Sequence, residues 1–189
     1  MYYRTNLTEI QQYKRNLSEV YAWMENSEAA LEHVQSAMHR GRELLVQAGN
    51  DTLSPEDRKA IAVEIGQIKE DLAQVANTQV AGRYIFNGTA VNQPRITDAS
   101  DPSTISTENE SFMVEVSRGI KLQSNINSEN VFSKEMFELW NDMEQALLSD
   151  DTGKIQELLG RFDKQSEKIS AERSELGARY NRLEMVDDR

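Results

Sequence analysis

The sequence predicts a mainly α-helical protein with a β-rich insert: a long antiparallel helical rod plus a small β-hairpin domain. Three observations point there. Apolar residues recur every seven positions from Ile10 to Leu45, and again from Ile155 to Leu183. Between these stretches, from 84 to 132, the period drops to two and Ser, Thr, Asn, Asp and Pro accumulate. The rod is therefore expected over 1–83 and 133–189, interrupted by a β-rich insert over 84–132.

The first helix is the clearest element. Ile10, Leu17, Met24, Leu31, Met38 and Leu45 form one row, and Tyr13, Val20, Ser27, Val34, Gly41 and Ala48 a second, three positions on. Two such rows make the a/d seam of a coiled-coil-like helix. From about Thr5 to Gln47 it would be roughly 65 Å long at about 1.5 Å per residue. Gly49-Asn50-Asp51-Thr52 ends it with residues that favour turns. Ser54-Pro55-Glu56-Asp57 opens the next helix, with Ser54 as cap, Pro55 at the first helical position and Asp57 closing the box. Its stripe is Ile61, Ile65, Ile68, Leu72 and Val75, folded back on the first helix by the short turn.

The period changes at Gly82. Tyr84-Ile85-Phe86 before Asn87-Gly88 reads as a short strand and a turn. Residues 89–109 read as loops and short edge strands. Phe112, Val114 and Val116, then Ile120, Leu122 and Ile126, alternate around Ser117-Arg118-Gly119 as a hairpin does. Helix resumes near Ser133, with Phe137, Trp140, Glu144 and Leu147 on one face and Met136 and Met143 beside it. Asp150-Asp151-Thr152-Gly153 interrupts the chain, and the last helix carries Ile155, Phe162, Ile169, Leu176 and Leu183, widened by Leu158, Leu159 and Tyr180. Leu31, Ile68, Phe162 and Leu176 are expected in the core. Both termini have the look of cut helices, and Met1 and Arg189 are expected near the same end of the rod.

Composition narrows the chemistry. Of the residues, 38% are hydrophobic, and 32 acidic side chains against 21 basic ones leave a formal net charge of −11. Such a balance opposes nucleic-acid binding, which needs a cationic footprint, and attraction to anionic lipid. There is no cysteine, so disulfides, thiolate metal sites and cysteine nucleophiles are excluded. No apolar run reaches the roughly 18 residues of a membrane span, and Met1-Tyr2-Tyr3-Arg4-Thr5-Asn6 lacks a signal-peptide core.

Catalytic constellations are missing as well. His33 and His39, the only two histidines, stand six residues apart on one helix, so they point to different faces and cannot share a metal ion. Gly153-Lys154 resembles the end of a phosphate loop, but Ile155 stands where Ser or Thr is required and Leu148 where the first Gly belongs. No Gly-x-Ser-x-Gly elbow occurs. Asn87-Gly88-Thr89 and Asn50-Asp51-Thr52 fit a glycan acceptor pattern, though a turn is the simpler reading of the first. Carboxylates such as Glu167 and Glu172 sit beside Lys168 and Arg173, as on a solvated helix face. No enzyme, cofactor or metal is expected.

Two stretches carry a family resemblance. Gly41-Arg42-Glu43-Leu44-Leu45-Val46-Gln47-Ala48, continuing through Asn50, Thr52, Ser54, Asp57-Arg58 and Ile61 to Glu64-Ile65, is similar to the N-terminal rod of bacterial flagellins. Ser170 to Glu184, with Arg173-Ser174-Glu175-Leu176-Gly177-Ala178 and Asn181-Arg182-Leu183-Glu184, resembles their C-terminal rod motif. Within that class, Ala76-Asn77-Thr78 leading into Gly82-Arg83-Tyr84-Ile85-Phe86-Asn87-Gly88-Thr89 resembles the hook-associated protein 3 class, which joins hook to filament.

This resemblance implies a structural subunit of the bacterial flagellum, outside the cell after passage through the flagellar export channel, stacked as a ring between hook and filament. Implied partners are neighbouring copies, the adjacent junction protein, flagellin and, for the full-length protein, an export chaperone. It also implies terminal segments that this chain lacks and that form the inner tube of the assembly. Carried over residue by residue, the flagellin face read by a host receptor, or by the next subunit, falls on Arg40, Leu44 and Glu64, with Leu44 partly exposed. Flagellin itself, and a cytoplasmic coiled-coil adaptor, are the alternative readings.

Overall fold

The computed structural model describes residues 2–188, so Met1 and Arg189, and the expectation placed on them, lie outside the described residues. Four helices carry the fold: α1 (Tyr2–Ala48), α2 (Pro55–Ala76), α3 (Lys134–Leu148) and α4 (Ile155–Asp187). At 47 residues, α1 is about 70 Å long. Each helix runs antiparallel to the next. Arg40 meets Glu64 across α1 and α2; Arg58 meets Asp150, and Lys69 meets Asn141, across α2 and α3. Asp142 pairs with Arg161, and Glu135 with Lys168, across α3 and α4. Arg42 with Asp163, and Tyr21 with Asp187, close the circuit between α4 and α1.

Local chemistry sets the helix boundaries. Ser54 accepts from the Asp57 amide at 3.1 Å while the Asp57 carboxylate accepts from the Ser54 amide at 3.0 Å, so the expected capping box is present. Ser133 caps α3 by accepting from the Met136 amide. Arg58, buried at the first turn of α2, donates to the carbonyls of Ala48 and Asn50 and to the Asp150 carboxylate. One guanidinium thereby ties together the two turns that end this half of the rod.

The insert differs in detail from the alternation in its sequence. Its first hairpin pairs β1 (Gln79–Val80) with β2 (Arg83–Tyr84) around Ala81 and Gly82, which take φ of 51° and 77°. The two residues on either side of the expected 83/84 boundary, Arg83 and Tyr84, are the second strand of this hairpin. Ile85 and Phe86 are buried but continue no strand, and Asn87-Gly88 turns the chain into loops whose only regular piece is the 3₁₀ turn Pro102–Thr104. The second hairpin, β3 (Met113–Ser117) with β4 (Ile120–Gln123), turns at Arg118-Gly119 as the alternation predicts.

This second hairpin lies along the side of α1. Phe112 stacks on Trp23, the Asn16 amide donates to the Glu115 carbonyl, and Arg118 approaches Glu9. The α4 helix stops opposite Tyr21. Among the described residues no helix packs on α1 before that level: the heptad rows are buried from Val20 onward, while Leu7 and Ile10 are more than half exposed.

Leu31, Phe162 and Leu176 are buried as expected. Ile68 is a correction: it is only half-buried at the edge of the core. The inward stripe of α2 runs through Arg58, Ile61, Ile65, Lys69 and Leu72, which turns toward α3 and leaves Ile68 on the rim. Lys69, 2% exposed, holds the interior place.

Candidate functional site

The Arg40–Glu64 pair sits on the open face between α1 and α2. Its guanidinium donates to both Glu64 oxygens, at 2.9 and 3.1 Å, and to Glu43 at 3.3 Å. These bonds, the one to Glu64 foremost, raise the guanidinium above the ordinary arginine range. His33 meets Asp71 two turns along the same face, and His39 pairs with Glu43 at 3.2 Å. The two histidines engage different carboxylates, and among the described residues no group of three or more His, Cys, Asp or Glu is placed to hold a metal. No described helix is long and apolar enough to cross a membrane.

Leu44 is the second correction. It is 2% exposed, so it presents no surface for another protein. At its height α1 packs against more than one helix. A Cβ on Gly41 would lie 2.5 Å from Cη2 of Trp140 on α3, and Arg42 reaches Asp163 on α4. With neighbours on several sides, the buried stripe widens beyond the two heptad rows and takes in Leu44 beside Leu45. Arg40 and Glu64 do come together; Leu44 belongs to the core beneath.

A second surface is a groove of 680 Å³ between α1 and α4, with Met24 and Leu176 in its lining and Glu28, Arg173 and Tyr180 beside them. Arg173 donates from Nε and Nη2 to Glu28, at 2.8 and 2.6 Å, and bonds Gln35 as well. Beyond it Tyr21 and Tyr180 stack edge to face, with centroids 5.7 Å apart. Loss of water contact and the bond to Asp187 push the Tyr21 phenol up to about 12.

Three buried cations were not legible in advance. Lys69 donates to Glu144, Asn141 and Ser100 at 3.0–3.1 Å, joining α2, α3 and the insert. Arg95, fully buried, donates to the Phe132 and Glu108 carbonyls and to Glu129, which closes the insert on itself. Burial pulls its guanidinium below the ordinary range, against the opposing effect of Glu129. Arg58 is the third. The signal for Lys69 and Arg58 was their place on the α2 stripe; Arg95 lies in an irregular loop and has none.

Comparison with known proteins agrees with this geometry. Residues 2–91 match the family model described as the bacterial flagellin N-terminal helical region. The chain is 27% identical over 183 residues to a flagellar filament 31.3 kDa core protein of Treponema maltophilum, covering 97% of this chain and 61% of that protein. Over 62 residues it is 42% identical to flagellar hook-associated protein 3 of Salmonella typhimurium, or 32% of this chain and 20% of that protein. The chain spans about three-fifths of the length of the relatives it matches nearly end to end.

By sequence the chain is thus similar to flagellins and flagellar filament core proteins along most of its length, and to hook-associated protein 3 over a shorter stretch. Its fold is similar to that of FlgL of Bacillus cereus, which superposes with a TM-score of 0.83 at 22% identity, over 98% of this chain and 91% of that one. Flagellin of the same organism reaches 0.59 at 18% identity, over 93% and 88%.

Proposed function

We propose that this chain is the rod and insert of a hook–filament junction subunit, a structural part of the flagellum rather than a catalyst. It works outside the cell after export, in a ring between hook and filament, touching neighbouring copies, the adjacent junction protein and flagellin. An export chaperone accompanies the full-length protein. The observation that carries this reading is the fold: the rod, the two hairpins and the return helix follow junction proteins over 98% of the chain, and follow a flagellin less closely. The paired charges Arg40 and Glu64 offer a polar contact to the next subunit, or to a host receptor that reads this face, without Leu44.

A second reading, a filament subunit, draws on the relative matched over 97% of this chain, whose name is that of a filament core protein. Complementation separates the two. The full-length gene in a strain lacking its junction protein should restore filament attachment, with the product localised at the hook–filament boundary by immunogold microscopy. Label running along the filament would overturn the junction reading in favour of the filament one.

A further inference from the structure

The row on α4 three places after the Ile155 heptad reads Leu158, Gln165, Glu172, Arg179 and Val186. Three polar residues in succession therefore occupy seam positions. Two of them seat the 3₁₀ turn Ser128–Asn130 of the insert. Gln165 Nε2 donates to the Asn130 carbonyl at 3.0 Å, and the Asn127 amide donates to Glu172 Oε1 at 2.8 Å.

The joint leaves polar atoms over. Glu172 is 1% exposed, yet its second oxygen, Oε2, has no hydrogen-bond partner among the described residues. The same is true of Arg179 Nε and Nη2, and of the Ser128 hydroxyl next in sequence to Asn127. Arg179 Nη2 lies 3.9 Å from Glu172 Oε1, too far for a hydrogen bond. Buried polar groups are costly unless met, and folded proteins meet nearly all of them, with ordered water where the chain cannot.

The inventory of these atoms defines the ligand. Arg179 offers donors, the Glu172 carboxylate offers an acceptor, and the Ser128 hydroxyl can serve as either. A cation is repelled by the guanidinium and an anion by the carboxylate. What fits is small, neutral, and able to donate and accept at once. We propose that Glu172 and Arg179, with Ser128 as the third wall, enclose an internal water site that joins the insert to α4.

A crystal structure of the chain at a resolution that shows ordered solvent tests this. The expected result is a water within hydrogen-bond distance of Glu172 Oε2 and an Arg179 nitrogen; a direct Glu172–Arg179 pair in a dry joint overturns the proposal. In solution, the Asn127 amide should show cross-relaxation to a slowly exchanging water, lost in the double variant Glu172→Leu, Arg179→Leu. Its survival in that folded variant would show that other groups hold the water.

Discussion

Gly41 and Trp140 are fitted to each other across the bundle: the indole lies where a Cβ on residue 41 would come within 2.5 Å of its Cη2. Trp140 is fully buried, so the ring has no room to retreat. Gly41→Ala gains at most about 1 kcal/mol of helix propensity. Overpacking a filled core costs about 1–3 kcal/mol. The melting temperature of Gly41→Ala should therefore fall. Gly160 on α4, with nothing within 4 Å of its would-be Cβ, is the control, and Gly160→Ala should raise it. Calorimetry of both variants giving shifts of the same sign would refute the steric account.

Lys69 should behave as a buried hub. Replacing it by Met keeps the stem but strands Glu144, whose side chain is 20% exposed. Breaking one partner of a buried pair costs about 3 kcal/mol or more. Combining Lys69→Met with Glu144→Leu removes the stranded charge, so the double variant should recover much of that loss in urea titrations. Additive losses would mean that the two side chains are not coupled.

The turn between β1 and β2 stores strain at Ala81, whose φ of 51° suits Asn or Gly better than Ala. A left-handed conformation at an ordinary residue costs about 1 kcal/mol. Ala81→Asn should relieve part of it, raising the melting temperature by about 2–4 °C per kcal/mol recovered. Ala81→Val should lower it. A melting curve unmoved by either would deny the strain.

Tyr21 gives the rod an alkaline limit. Its phenol, ordinarily at 10.0, is pushed up to about 12 in the fold by loss of water contact and by the bond to Asp187. A group whose folded pKa is raised contributes stability that is complete below its unfolded pKa and lost as pH rises through the folded one. Stability should thus decline between pH 10 and about 12, and Tyr21→Phe should flatten that decline. Tyrosinate absorbance followed alongside thermal melts checks both; an unchanged slope in Tyr21→Phe would assign the decline to other groups.

How much of this was legible in the sequence depends on the period of each segment. The heptads of α1 and α4, the Ser54–Asp57 box and the hairpin around Arg118-Gly119 are local signals, and the structure follows them. Leu44 and Ile68 were misplaced because burial depends on which neighbour a helix turns toward, and no local period encodes that. Trp140 beside Gly41 buries the level of Leu44; the tilt of α2 toward α3 puts Lys69, not Ile68, inside. Arg40 and Glu64 were reached through the flagellin resemblance, and the antiparallel course of α1 and α2 brings the two to matching heights. The polar row Gln165, Glu172 and Arg179 was visible as a heptad and hidden only by its chemistry.

The Arg58 clasp has a mechanical consequence. Its guanidinium holds the turn after α1 and the turn before α4 in a single hand of hydrogen bonds. Traction on either turn is therefore shared between them, and the helices are loaded lengthwise, in shear, rather than peeled apart one at a time. Shear sets many weak bonds against the load at once, whereas peeling opens them in sequence. For the junction subunit proposed above, a blunt and stapled end would resist fraying under load.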